Sequence, residues 1–229
     1  MQGGAGQTRF WIWAAATCLL AGCAPAAHDY FPLGTKQSWE YSLQRTVKGE
    51  KHTEKIIIAN LAPATFKGTT LYPKRRLDNR LEWFRKTDTG IFRVGPGLRP
   101  LREVLPLPVK VGARWRDVTR VRFLRVTGAF ARTFKERAHK DMPIRYVVDS
   151  VNDTVEVPAG RFENCLRVSG KGSILGGEIL DQFLGIHEIR VAETDWYAPG
   201  VGLVKRVRTE STSPANWNNR SVEQLEARL

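Results

Sequence analysis

Polar and apolar residues alternate in short runs along most of the chain, and turn-forming residues interrupt these runs about every ten positions. Alternation with a period of two is typical of half-buried β-strands. Helical periodicity is missing between residues 30 and 213. The pattern therefore predicts strands over residues 39–47, 55–61, 81–87, 114–127, 144–157, 162–169, 189–197 and 201–209.

These runs predict a mostly-β domain over residues 30–229, built as one curved antiparallel sheet. We expect a half-barrel or open barrel of roughly ten strands, with little helix apart from an N-terminal export segment. Residues 221–229 are compatible with two elements. Ser221 and Gln224 would form a helix capping box, whereas Leu225, Ala227 and Leu229 alternate as in a strand. We favour a closing strand.

Two turns are specific enough to predict hairpins. Pro158 presets φ and Gly160 accepts positive φ between two alternating runs. The pair Pro199-Gly200 suits the central positions of a type II turn. Gly202, which follows, would let the next strand pass close to another backbone.

The chain also contains a possible internal repeat. Pro32 precedes Trp39 by the same spacing that separates Pro108 from Trp115, so a shift of 76 residues superimposes the two segments. Each copy predicts an extended proline segment, a turn and a strand that begins near tryptophan, with Gly112 in the second turn. The match indicates a duplicated β unit, or else chance.

The N-terminus has the pattern of an exported protein. One cation, Arg9, precedes an apolar run of 11 residues, 10–20, which is too short to cross a bilayer and fits a signal-peptide core. The run ends in a lipobox-like sequence with small residues before a cysteine, which resembles the cleavage site of bacterial lipoproteins. Its residues are Leu20, Ala21, Gly22 and Cys23.

Resemblance to that class implies cleavage before Cys23 and acylation of its thiol and amino group with palmitate-type chains. The organisation is then a signal peptide over residues 1–22, a lipidated tether over 23–29 and a β domain over 30–229. Two or more acyl chains hold a protein firmly in a membrane. Ala24 favours the outer membrane, facing the periplasm, in a Gram-negative host. The alternative is an ordinary signal peptide cleaved near Ala21 or Ala24.

Motifs spread across residues 30–205 carry a second resemblance. They are Tyr30-Phe31-Pro32-Leu33 with Trp39 and Tyr41, then Val157-Pro158-Ala159-Gly160-Arg161-Phe162 with Cys165, and Trp196-Tyr197-Ala198-Pro199-Gly200-Val201-Gly202-Leu203-Val204-Lys205. They resemble a widespread group of uncharacterised bacterial lipoproteins, from which this chain departs at Lys36-Gln37-Ser38. In architecture such chains are similar to lipoprotein carriers and lipid-binding lipoproteins built on a half-barrel. The group has no agreed activity and no catalytic residues that the resemblance could transfer to this chain.

The composition is that of a folded protein, with 42% hydrophobic and 10% aromatic residues, and the formal net charge is +13. So basic a chain favours anionic partners. For an envelope protein these are phospholipid, lipopolysaccharide or an acidic protein, whereas export argues against nucleic acid.

Much of the positive charge lies in one stretch. Residues 110–140 hold ten lysines and arginines against two acidic residues. Where arginine alternates with apolar residues, one face of a strand presents guanidinium groups, which bind phosphate and carboxylate bidentately. We predict a docking face for anionic ligands or a membrane, with a merely solvated face as the alternative. Its residues are Arg114, Arg116, Arg120, Arg122 and Arg125.

No pattern of residues indicates catalysis, a metal site or a cofactor. The four histidines form no spaced metal-binding pair, and no nucleophile elbow is present. Cys165 lies in a predicted strand, where a buried and unreactive thiol is expected. The seven tryptophans are expected mainly to fill the core, with a few lining a ligand pocket.

The sequence thus predicts a membrane-anchored, non-enzymatic envelope lipoprotein that binds a lipid-like or anionic ligand. The alternatives are an assembly lipoprotein that docks to an acidic protein, and an envelope hydrolase. A carrier requires a concave cavity lined by Trp and Phe, whereas an enzyme requires clustered polar groups with perturbed pKa values in a cleft.

Overall fold

A computed structural model describes residues 28–47, 49–121, 142–175, 185–214 and 220–228. The described residues form thirteen β-strands and one 3-10 turn at Pro96–Leu98. The strands are β1 (Ser38–Val47), β2 (Glu50–Asn60), β3 (Ala64–Phe66), β4 (Thr69–Arg76), β5 (Leu81–Lys86), β6 (Gly90–Val94), β7 (Pro100–Pro106), β8 (Arg114–Thr119), β9 (Met142–Val157), β10 (Gly160–Leu175), β11 (Glu188–Ala198), β12 (Gly202–Ser213) and β13 (Arg220–Arg228). No described helix is long and apolar enough to cross a bilayer.

The strands make one curved antiparallel sheet, nearly closed into a barrel, and the predicted fold class is confirmed. Twelve strands follow one another in the order β7-β6-β5-β4-β2-β1-β13-β12-β11-β10-β9-β8, and β3 pairs with β4 beside this path. Residues 220–228 form a strand between β1 and β12, so the closing strand expected at the chain's end is present. The predicted strand over 114–127 ends at Thr119.

The two ends of the sheet meet at a seam between β7 and β8. The Trp115 indole Nε1 donates to the Glu103 carbonyl at 3.2 Å, and the Arg102 guanidinium lies 3.3 Å from the Asp117 carboxylate. Trp115 also stacks on Tyr146 with ring centroids 5.2 Å apart. Side chains rather than a continuous strand ladder therefore close the barrel here.

The two segments related by the shift of 76 residues both lead into the start of a strand. β1 begins at Ser38 and β8 at Arg114, one shift of 76 residues apart. Gly112 has φ 81°, and Lys36, at the matching position of the first copy, adopts φ 64°. The turn before β1 therefore has a left-handed residue, Lys36, where the turn before β8 has a glycine. Lys36 belongs to the segment Lys36-Gln37-Ser38, at which the sequence differs from the motif it otherwise resembles.

Both predicted hairpins are present as the β9–β10 and β11–β12 pairs. Gly200 has φ 70°, as a type II turn requires. A Cβ at Gly202 would lie 3.2 Å from the Pro32 ring and 3.9 Å from the Tyr30 carbonyl, so the close neighbour is a side chain and not the backbone that the sequence suggested. The segment before β1 therefore lies against the β11–β12 turn.

Candidate functional site

Some of the inward-facing positions of the barrel strands are occupied by charged residues and not by apolar ones. On β11, Glu193 and Asp195 continue the inward series begun by Ile189 and Val191, and all four are buried. The facing strand β12 completes the pairs, because Glu193 lies opposite Arg208 and Asp195 opposite Arg206. Buried charges require partners, and the pairing register supplies them across one strand boundary.

Glu193 is the centre of this interior network. Its carboxylate lies 3.0 Å from Arg208 and 3.3 Å from Arg102, and it accepts a hydrogen bond from the Tyr146 hydroxyl at 3.1 Å. Arg102 also donates to the Tyr146 oxygen at 2.8 Å. The network thus joins β7, β9, β11 and β12 and links the seam to the middle of the sheet.

Arg208 is as deeply buried as the carboxylates of this network, with 2% of its surface exposed. It donates to Glu210 at 2.8 Å, to the Thr119 hydroxyl at 2.9 Å and to the Arg120 carbonyl at 3.0 Å. Its bonds therefore tie β12 to the end of β8 on the opposite side of the interior.

The electrostatics keep the network ionised. Burial alone would raise the pKa of Glu193, but Arg206, Arg102 and Arg208 outweigh it and hold that pKa well below its usual range. Burial and then the neighbouring Glu193 raise the pKa of Tyr146, so its hydroxyl stays protonated. Each charge of the network has an oppositely charged neighbour, an arrangement that favours a structural role over acid–base chemistry.

Beside the network lies a cavity of about 270 Å³ on the concave side of β1, β2, β4–β7, β12 and β13. One part of its wall is aromatic and aliphatic and another part is charged. The apolar lining consists of Phe31, Trp39, Tyr41, Leu43, Ile56, Ile58, Phe84, Val104, Val201, Leu203 and Leu225. Among the described tryptophans, Trp39 lines this cavity and Trp115 is buried in the core, whereas Trp83 and Trp196 are only partly buried.

The charged part of the wall has six cations and two carboxylates. Most of the cations have acidic partners: Arg45 binds Glu223 at 3.0 Å, Arg93 binds Glu82 at 3.0 Å, and Arg206 binds Asp195 at 2.6 Å. Both carboxylates are held by arginine. The sixth cation, Lys74, lies among aromatic rings instead.

On the outer wall, three cations occupy directly opposite positions on neighbouring strands. Arg116 on β8 faces Arg145 on β9, which faces Lys171 on β10, and all three are exposed. Within the described parts of the chain none of them has an ion-pair partner. Like charges at facing positions repel one another. We call these three residues the cation row.

Only three of the five predicted docking residues lie among the described residues. Arg114 and Arg116 are exposed on the outer face of β8, and Arg120 is exposed just beyond its end. Arg122 and Arg125 lie outside the described residues, as do the lipobox residues Leu20, Ala21, Gly22 and Cys23. The sequence missed Arg145 and Lys171, which only strand pairing brings beside Arg116.

Cys165 is fully buried, as expected. Burial, followed by the charge of Asp153, raises the pKa of its thiol to about 11, so the reactive thiolate is disfavoured at neutral pH. Among the described residues no group of His, Cys, Asp and Glu is placed to hold a metal ion.

No protein-family model matches this chain, and no curated protein matches it. Two solved structures resemble it weakly over most of their length. A candidate exported protein with a YmcC-like fold from Bacteroides fragilis has a TM-score of 0.41 at 13% identity, with 87% of this chain and 98% of that chain covered. A candidate lipoprotein from Parabacteroides distasonis has a TM-score of 0.40 at 13% identity, with 88% and 99% covered. Likenesses at TM-scores this low carry no conclusion about family or function.

Proposed function

We propose that this chain is an exported lipoprotein, anchored by acyl chains on Cys23, that encloses a lipid-like ligand inside its barrel without catalysing a reaction. The observation that carries the proposal is the cavity, whose wall joins apolar and cationic surface. Its volume of about 270 Å³ lies at the lower end of ligand pockets, which are roughly 300–1,000 Å³. An acyl chain suits the apolar wall, and an acidic group suits the cations.

The proposed compartment follows from the sequence. The lipobox Leu20-Ala21-Gly22-Cys23 supports a mature protein in the cell envelope, and Ala24 favours the outer membrane of a Gram-negative host. The tether before Tyr30 is short, so the barrel would lie close to the membrane that supplies acyl-chain ligands. The protein partners proposed with this compartment are a membrane surface or an acidic envelope protein, and not nucleic acid.

The ligand is tested on acylated protein isolated from its own membrane. Solvent extraction without hydrolysis removes a non-covalent ligand and leaves the acyl chains of Cys23 in place, and mass spectrometry identifies what is released. We expect an acyl-chain compound in wild-type protein. Ile56→Trp, which fills the cavity, should lose it, whereas Val222→Trp on the outward face of β13 should keep it. A folded wild-type protein that releases nothing would contradict the proposal.

The cation row favours a second candidate function, docking of the barrel wall onto an anionic phospholipid surface. Repelling charges on a stable sheet are unfavourable alone and become favourable once phosphate groups lie over them. Each basic residue near an anionic leaflet contributes about 1 kcal/mol. Arg114, one position further along the outer face of β8, extends the same surface.

Charge reversal tests this docking. In a Cys23→Ala background, changing Arg116, Arg145 and Lys171 to glutamate should weaken binding to phosphatidylglycerol vesicles by more than about tenfold at low salt. The matched control changes Lys51, Lys67 and Lys86 to glutamate and has the same net charge. These exposed cations lie on β2, on the β3–β4 turn and on β5, away from the cation row in the strand order. Equal losses in the two triple variants would show that only total charge matters and would reject the docking face.

A further inference from the structure

Lys74 lies at the aromatic part of the cavity wall. Its ammonium Nζ is 4.1 Å from the ring centroid of Phe31, 4.5 Å from that of Trp39 and 5.7 Å from that of Phe84. Rings at these distances attract a cation through their quadrupoles. The side chain reaches this place because β4 alternates, so that Tyr72, Lys74 and Arg76 share the inward face.

The polar contacts of Lys74 differ from those of the neighbouring cations. Its described hydrogen bond is a long one, in which Nζ donates to the Pro32 carbonyl at 3.4 Å. The arginines of the cavity wall each have a carboxylate within ion-pair distance, the weakest pair being Arg76 with Asp78 at 3.8 Å. An ammonium has three donors, so Lys74 retains unused capacity toward the cavity.

The wall around Lys74 supplies the rest of an amphiphile site. Trp39 and Ile58 lie on adjacent strands at facing positions and both line the cavity, as does Leu203 from β12. An apolar chain in contact with them would gain about 25 cal/mol for each Å² removed from water. The cationic end and the apolar wall thus meet in a single cavity.

We propose that Lys74 is the head-group residue of this cavity and binds the acidic group of a monoanionic amphiphile, such as a carboxylate-headed acyl chain. This inference rests on the proposed function and names its ligand class. The ammonium would exchange weak contacts with rings and a carbonyl for a charge-assisted hydrogen bond. The apolar tail would lie along the inward faces of β1 and β2.

The site is expected to depend on pH. Burial lowers the pKa of Lys74 to about 8, an effect that the charges of Glu82 and Asp29 partly offset. A bound anion favours the charged amine, so affinity is full below this pKa and falls as the pH rises through it. The lining arginines stay protonated over this range, and burial raises the pKa of Tyr41 and of Tyr197, so both hydroxyls stay neutral. The charged residues around Lys74 are Asp29, Arg45, Arg76, Glu82, Arg93, Arg102, Arg206 and Glu223.

Calorimetric titration of the full chain with decanoate and with its uncharged analogue decanol tests the inference. Wild-type protein should bind decanoate more tightly than decanol by about tenfold or more, as for a hydrogen bond to a charged group. Lys74→Met, which keeps an unbranched apolar side chain, should abolish this preference and still bind decanol. Lys74→Arg should keep it. Decanoate affinity should fall about tenfold between about pH 7 and pH 9 in wild type and stay level in Lys74→Arg.

The outcomes separate this inference from the proposed function. Equal binding of decanoate and decanol by wild type would overturn the role of Lys74 and leave the cavity as an acyl-chain site. Binding of neither compound by a protein with an intact thermal unfolding transition would overturn both. A preference for decanoate that survives in Lys74→Met would assign the acidic group to the arginines and also reject the inference.

Discussion

Replacing Arg208 with methionine is expected to lower the free energy of unfolding by about 3–5 kcal/mol, because it leaves buried carboxylates without their cation. Arg208 is 2% exposed and binds both Glu193 and Glu210. Methionine fills much of the volume, so lost packing is a small part of the effect. Urea denaturation followed by tryptophan fluorescence measures the change, provided that unfolding is two-state.

The chain offers a matched control on its outer wall. Arg190 is 59% exposed and donates to Glu188, two positions away on β11, with the same spacing as Arg208 to Glu210 on β12. Because solvent screens an exposed pair, Arg190→Met should change stability by less than about 1 kcal/mol. Similar losses in the two variants would mean that the interior network is no more important than a surface pair.

The cost of Arg208→Met should also depend on pH. The lowered pKa of Glu193 means that its ion pairs stabilise the fold fully above the carboxyl's unfolded pKa, about 4.3, and that this stability is lost as the pH falls toward the folded pKa. In the variant the carboxyl is protonated more readily. The difference in stability between wild type and Arg208→Met should therefore be largest near neutral pH and shrink below about pH 4.

The strands differ in how clearly the sequence predicts them. The runs that became β1, β9, β10, β11 and β12 alternate clearly, and the Pro199-Gly200 turn is specific. The predicted runs do not include β3, β4, β6 or β7. In β4 and β7, Pro73, Pro100 and Pro106 are unfavourable for a strand when the sequence is read alone. They pair nonetheless, at the less regular side of the barrel.

The interior network was missed for a different reason. Glu193 and Asp195 alternate in phase with apolar neighbours, so their inward direction is readable from the sequence. Their partners are not, since a bulge between Trp196 and Tyr197 shifts the register that the turn alone would set. No sequence pattern marks Lys74 as a binding residue. The aromatic rings around it come from β1, β5 and the segment before β1, which only the folded sheet brings together.

The compartment determines which ligands and surfaces the barrel meets, so the account depends most on the chemistry of Cys23. Its thiol is the only group of the lipobox that can accept diacylglycerol. Cys23→Ala removes that nucleophile and leaves the apolar run 10–20 unchanged. Loss of acyl chains removes about 0.8 kcal/mol of membrane binding for each buried CH₂, so the variant should leave the membrane almost completely.

Labelling of growing cells with radioactive palmitate, followed by membrane fractionation, measures this directly in wild type and Cys23→Ala. We expect a labelled wild-type protein in the membrane fraction, with a mature amino terminus at Cys23, and an unlabelled variant outside it. A wild-type protein that carries no label and is recovered in the soluble fraction would show that the chain is not a lipid-anchored lipoprotein.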